Sequence, residues 1–161
     1  MSVELTPGGT RGVEWPRIPG FLMRAILGLT VLAYRLLGDR MKLMGQPPLL
    51  LTTVGAKTGK VRKTVLLRFA DGESWLVVAS FGGSAKHPAW YINMAKNPDK
   101  VWIEVGGRTL KVRPESLKGA GREEALERIV SLAPGYGAYQ RKTDRQIPII
   151  RLTPTTSGSE G

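Results

Sequence analysis

The sequence has no cysteine, which excludes a disulfide framework, a thiolate metal site and a cysteine nucleophile. It has a single histidine, His87, so His-cluster metal sites are excluded and a Ser-His-Asp arrangement would rest on one residue. Acids are also scarce: 13 Asp and Glu face 24 Lys and Arg, for a net charge of +11 and a pI near 10.4. No acid pair stands out as a hydrolytic dyad, and Glu123, Glu124 and Glu127 with Arg122 and Arg128 read as an exposed helix face. The chemistry therefore falls to a bound molecule. At 161 residues and 42% hydrophobic the chain is one globular domain with one core, not a basic disordered tail.

The basic excess is uneven. Through Asp71 there are eleven Lys and Arg against four acids, and thirteen against nine thereafter. Such an imbalance draws phosphate esters, acidic membrane surfaces or nucleic acid. Residues 1 to 20, with Pro7, Pro16, Pro19 and Gly8-Gly9, read as an irregular arm. Phe21 to Gly38 is apolar apart from Arg24, Thr30 and Arg35. At helical spacing Arg24 and Arg35 make one thin cationic stripe on a greasy helix. Ten residues separate the two arginines, short for a membrane span of about 20. The helix either packs on the domain or lies in a membrane interface. The run is too far from the start, and lacks the small-residue cleavage pattern, for a signal peptide.

From Leu49 the pattern turns to strands. Leu49 to Val54, Val61 to Phe69 and Trp75 to Ser80 predict an antiparallel meander. Ala89 to Lys96 predicts a two-turn helix behind Pro88, and Lys100 to Val105 with Arg108 to Arg113 predicts a hairpin around Gly106-Gly107. Glu123 to Leu132 reads as a helix stopped by Pro134-Gly135, and Ile147 to Leu152 as a last strand. About six strands without βαβ alternation give a small antiparallel barrel with helical additions. The expected division is an arm and apolar helix over 1–45, a barrel over 46–154 and a loose polar tail over 155–161.

Three segments could carry chemistry. Gly55 to Lys63 places four cations and two glycines between strands, an anion cradle or a merely solvated turn. It is not a P-loop, because three residues separate the glycines and Val61 follows Lys60. Ser80 to Asn93 runs from a strand through Gly82-Gly83 into a helix start, with Trp90 and Asn93 on one face. Trp90 is alternatively core, and His87 is read as merely preceding the helix. Tyr136 and Tyr139 could cover a ring or donate a proton, while Asp144 and Arg145 could tie their loop to the barrel.

LLLTTVGAKTGKVR, VVASFGGSAKHPAWYINMAKNP and YGAYQRKTDRQIPIIRL, in this order over Leu49 to Pro154, resemble the deazaflavin-dependent nitroreductase and quinone reductase family, which uses coenzyme F420. The resemblance implies a mixed β fold with helices, a split β-barrel of the flavin-reductase kind with an N-terminal helix, which in some relatives associates with membrane. It implies an F420-dependent oxidoreductase passing a hydride to an apolar, electron-poor acceptor such as a quinone or conjugated enone, or a nitro compound, and no metal. Lys57, Thr58, Gly59, Arg62 and Lys86 would hold the phosphate and polyglutamate tail. Ser80, Gly82 and Gly83 would lie near the deazaflavin, with Trp90 and Asn93 bordering it. Tyr136 and Tyr139 would border the substrate, with Tyr136 or Ser80 as proton source. Relatives carry a tyrosine in place of Ala133, whose loss argues against nitroimidazole reduction, and Lys or Asn in place of Phe81, whose change leaves a more apolar cavity. The implied location is the cytoplasm or the inner face of the cell membrane. The alternatives are a holder of F420, fatty acids or other hydrophobic ligands without turnover, and a basic nucleic-acid-binding module, the latter lacking a recognition motif.

Overall fold

The computed structural model describes residues 3–42 and 45–155, so the expected tail lies outside it from residue 156 on. An extended arm leads into helix α1 (Gly20–Leu37). Strands β1 (Pro48–Val54), β2 (Val61–Leu67), β3 (Phe69–Asp71) and β4 (Ser74–Val78) follow, then helix α2 (Ala89–Lys96). Strands β5 (Trp102–Val105) and β6 (Arg108–Ser116), helices α3 (Gly119–Leu132) and α4 (Gly135–Lys142), and strand β7 (Ile149–Pro154) complete the chain.

The strands form one antiparallel sheet in the order β2-β1-β5-β6-β7-β4-β3. The expected meander is therefore wrong in its middle. Strands β2 and β3 are separated by Arg68 alone, yet they form the two opposite edges of the sheet. One residue spans at most about 3.6 Å, so the sheet must curl until its edges meet, and that closure makes the barrel. Strand β6 turns the corner: Arg108 to Lys111 pair with β5, and Val112 to Ser116 with β7.

The two hydrophobic clusters follow from strand alternation. Val77 and Ala79, with Ile150 and Leu152, join Leu49, Leu51, Tyr91, Met94 and Ile103. Their neighbours Leu76, Val78 and Ile149 point the other way, to Phe69, Ala125, Ile129 and Ala133. Both faces of β4 and β7 are covered, which explains why these strands are apolar throughout.

Helix α1 stands outside this core. Tyr34 is its one buried residue; its hydroxyl donates to Glu104 O at 2.7 Å, and Arg35 lies 3.5 Å from the Glu104 carboxylate. The helix packs against β1 and β2 along one side and leaves most of its apolar side chains exposed. Helix α4, where a loop was expected, packs its half-buried tyrosines on the second cluster.

Candidate active site

The cationic turn is built by its own backbone and then fastened to α2. Gly55 N–H donates to Lys60 O at 2.8 Å, Gly59 N–H to Gly55 O at 2.9 Å, and the Thr58 hydroxyl accepts from Lys60 N–H at 3.2 Å. Gly59 sits at φ +70°, a conformation that favours glycine. From α2, Asn93 Oδ1 accepts the Ala56 N–H at 3.0 Å, its Nδ2 donates to the Thr53 hydroxyl at 3.4 Å, and Asn97 Nδ2 donates to Val54 O. Asn93 is thus committed to protein and serves as the brace of the turn. Thr53 and Arg62 are register partners across β1 and β2 and so share a sheet face. That places Arg62 on the face where Asn93 meets Thr53. Lys57, Thr58, Gly59, Lys60, Arg62 and Lys63 are exposed, and the seven ion pairs among the described residues use none of these cations. Trp90 is buried among Tyr91 and Met94, as its core alternative required.

The second half of the site is the turn after β4. Phe81–Gly83 form a single helical turn with Gly83 N–H donating to Ser80 O at 2.9 Å. Phe81 holds φ +44° and Gly83 φ +87°. Gly83 cannot carry a side chain, because a Cβ there would stand 3.0 Å from both Tyr139 O and Lys142 Cβ. This contact brings α4 against the Gly82-Gly83 turn. Ser80 is buried and its carbonyl is engaged, while its hydroxyl has no partner among the described residues. Tyr136 meets Phe69 and Tyr139 edge-on, at ring separations of 5.7 and 5.5 Å. Burial, helped by Tyr139, pushes the Tyr136 phenol up to about 12, so it keeps its proton at neutral pH. Lys86 is exposed and lies three residues before α2. The segment Ser84 to Pro88 therefore joins the tyrosine end of the site to the cationic end.

The sequence reading missed how the arm completes this wall. Asp144 accepts the Thr10 and Arg11 N–H groups at 2.8 and 2.9 Å, and the Thr10 hydroxyl as well. Gly9 and Val13 N–H donate to Ala85 O and Gly83 O at 2.8 and 3.0 Å. Trp15 stacks on Phe81 with ring centres 6.1 Å apart and donates Nε1–H to Phe81 O at 3.1 Å. Gly12 lies so close that a Cβ would stand 2.3 Å from Ala85 N. Arg145 ties its loop to the barrel through the Ala79 and Ser80 carbonyls, Asp144 ties it to the arm instead, and His87 does more than precede a helix: it contacts both Arg145 and the arm.

A turn of exposed cations fastened to α2, the helix that the glycine turn leads into, is a donor set suited to a polyanionic cofactor, and the wider sequence agrees. Residues 31–154 match the family described as F420H(2)-dependent quinone reductase. An F420H(2)-dependent quinone reductase of Mycobacterium tuberculosis is 41% identical over 116 residues, covering 70% of this chain and 77% of that protein. This chain belongs to the F420H(2)-dependent quinone reductase family. A solved F420-H2 dependent reductase is 40% identical, with a TM-score of 0.60 over 66% of this chain and 93% of its own. A second solved relative, described as a domain-swapped dimer, is 33% identical with a TM-score of 0.61 over 81% of this chain and 98% of its own. The fold is the split β-barrel, the cofactor of this family is F420, and the activity is that of an F420-dependent oxidoreductase.

Proposed function

We propose that this chain reduces quinones with reduced F420, and that Lys57, Thr58, Gly59, Arg62 and Lys86 hold the anionic tail of the coenzyme. The observation that carries the reading is the Asn93 brace: it fixes a glycine turn of exposed cations beside α2, while the segment before α2 leads back to Gly83, which packs on Tyr139. Bound reduced F420 supplies the hydride, from carbon C5 of its deazaflavin. The chain supplies position. Gly82 adds no side chain to crowd an approaching ring, and Ser80 offers a hydroxyl without a partner among the described residues. Tyr136 Oη, protonated at neutral pH, donates a hydrogen bond to a carbonyl oxygen of the acceptor rather than giving up its proton, and the proton that completes the reduction comes from solvent. Tyr139, Phe81 and Trp15 form an apolar rim that favours quinones and conjugated enones.

The test has two parts. In the first, the chain is titrated with F420, FMN and an oligonucleotide at two salt concentrations, following ligand fluorescence. F420 binding should weaken by about tenfold in Lys57→Ala and in Arg62→Ala, the loss expected for one charge-assisted contact. In the second, oxidation of reduced F420 is followed with menaquinone, an enone and a nitroimidazole. Menaquinone and enone turnover is expected, and the alanine at position 133 should leave the nitroimidazole slow. Binding without turnover of any acceptor would make the chain a carrier, and oligonucleotide binding alone would overturn the assignment.

We further propose that α1 meets lipid at the inner face of the membrane. Phe21, Leu29, Leu32 and Leu36 are each more than half exposed and, at 100° per residue, fall within about 80° of arc. Arg24 and Arg35 lie together along one border of that arc, an arrangement suited to an anionic interface that delivers a lipid-soluble quinone. Co-sedimentation with phosphatidylglycerol vesicles should be lost in Leu29→Glu/Leu36→Glu with F420 affinity unchanged. Equal sedimentation of both forms would refute it.

A further inference from the structure

The loop that carries half of the site is held from beneath by one buried cation. Arg145 is 3% exposed, and no carboxylate pairs with it among the described residues. Its Nε donates to Ser84 O at 2.8 Å, and its Nη2 to Ala79 O and Ser80 O at 3.1 and 2.8 Å. Its Nη1 lies 3.3 Å from His87 Nδ1. His87 Nε2 lies 2.8 Å from Thr6 O, so a neutral imidazole with its proton on Nε2 satisfies both contacts at once. The guanidinium therefore reaches the loop at its entry, across the Phe81–Gly83 turn, and at its exit. A buried charge facing only carbonyls is costly unless every bond is made, and that cost locks the loop in one shape.

We propose that Arg145 is a positioning residue for coenzyme binding: its guanidinium fixes the Ser80 to His87 loop so that Ser80 and Gly82 face the deazaflavin and Lys86 faces the anionic tail. This rests on the site reading given above. Only a planar fork can span the three carbonyls, because the donors of an ammonium diverge from a single atom. The loop has reason to need it. Phe81 sits at φ +44°, where a residue with a Cβ is strained, and the arm also holds the loop, through Gly83 O, Ala85 O and Phe81 O.

The experiment compares full-length wild type, Arg145→Lys, Arg145→Ala, His87→Ala and Lys57→Ala. It measures the Kd for F420, kcat and KM for reduced F420, and amide hydrogen exchange of Phe81 to Lys86 against that of β4 and β7. Arg145→Lys should raise the Kd and KM by about tenfold or more while kcat changes less, with faster exchange confined to the loop. His87→Ala, which removes one contact of the four, should shift the Kd in the same direction by a smaller factor. Added guanidinium should restore affinity in Arg145→Ala, where sodium chloride of equal ionic strength does not. If Arg145→Lys fails to fold, the His87→Ala shift decides. An unchanged Kd in both Arg145→Lys and His87→Ala overturns the proposal, as does exchange that rises equally in β4 and β7. Lys57→Ala separates the two ideas: loss of affinity there with none in Arg145→Lys sinks the positioning role alone, whereas no loss in Lys57→Ala sinks the site itself.

Discussion

Two sets of cations in this protein have the same charge and opposite uses. Lys57, Arg62 and Lys86 are exposed and take no part in the ion pairs of the described residues, whereas Arg122 and Arg145 are buried with their guanidinium groups bonded to protein. An exposed cation keeps its hydration and its mobility, so it is free to neutralise an arriving anion. A buried guanidinium has lost its water and must be satisfied by fixed oxygens. A net charge of +11 is thus at least two features, a binding surface and an internal scaffold, and the two respond differently to mutation.

The largest separation should come from Arg122. Its Nη2 donates to Ile147 O at 2.6 Å and to Gln140 Oε1 at 3.2 Å, and its Nη1 to Glu123 at 2.9 Å. Arg122→Met leaves the Ile147 carbonyl unpaired and should cost about 2–4 kcal/mol by urea unfolding. Removing the exposed pair, Lys57→Ala/Arg62→Ala, should move the same stability by no more than about 0.5 kcal/mol, yet flatten the salt dependence of F420 binding. If the exposed pair instead destabilised the fold as much as Arg122 does, the division between surface and scaffold would be wrong.

Two smaller effects sharpen the contrast at the junction of scaffold and surface. Gly12→Ala drives a Cβ to 2.3 Å from a backbone nitrogen and 2.6 Å from Gly83 O, so the arm must lift. We expect a loss of about 1–3 kcal/mol and faster exchange at Gly83 and Ala85. Asn93→Ala removes the brace of the cationic turn and should cost about 1–2 kcal/mol, with weaker F420 binding although every cation remains. Unchanged affinity would mean that the turn keeps its shape without α2.

Local pattern revealed what local physics decides. Helix α2 lies within the residues expected for it, since Pro88 and Asn97-Pro98 bound it in the sequence itself. The cationic turn, the hairpin at Gly106-Gly107 and the apolar strands were legible for the same reason. Helix α4 was not, because Gly135 and Gly137 disfavour a helix. It is held by tertiary bonds, Gln140 bridging Arg145 O and Ile147 N–H and Tyr136 packing on Phe69. The spacing of Tyr136, Tyr139 and Gln140 behind Pro134 was the available signal. The crossing from β2 to β3 was hidden because periodicity within VRKTVLLRF says nothing about which edge each half joins. Arg145 reads as one more loop arginine until its carbonyl partners, 60 and more residues away, are known.

The smallest expected effect is the pH response of the arm, and its sign follows from two depressed pKa values. Hydrogen bonds from Thr10 and Arg11 hold the Asp144 carboxyl at about 2, below the ordinary value near 3.9. The contribution of that group is therefore complete above about pH 4 and is lost as pH falls toward 2. Burial lowers His87 from 6.5, against the bond to Thr6 that raises it. Its neutral form is the one that fits, so its contribution is complete above pH 6.5 and declines as pH falls from there to the lower folded value. The arm should loosen in two steps on acidification, first at the Thr6 end and then at Thr10 and Arg11. Amide exchange by NMR, corrected for intrinsic rates, reads both. Asp144→Asn should abolish the acid step while leaving the His87 step. A single transition, or protection of Thr10 that persists to pH 2, would show that the arm is held by its backbone bonds to Gly83 and Ala85 instead.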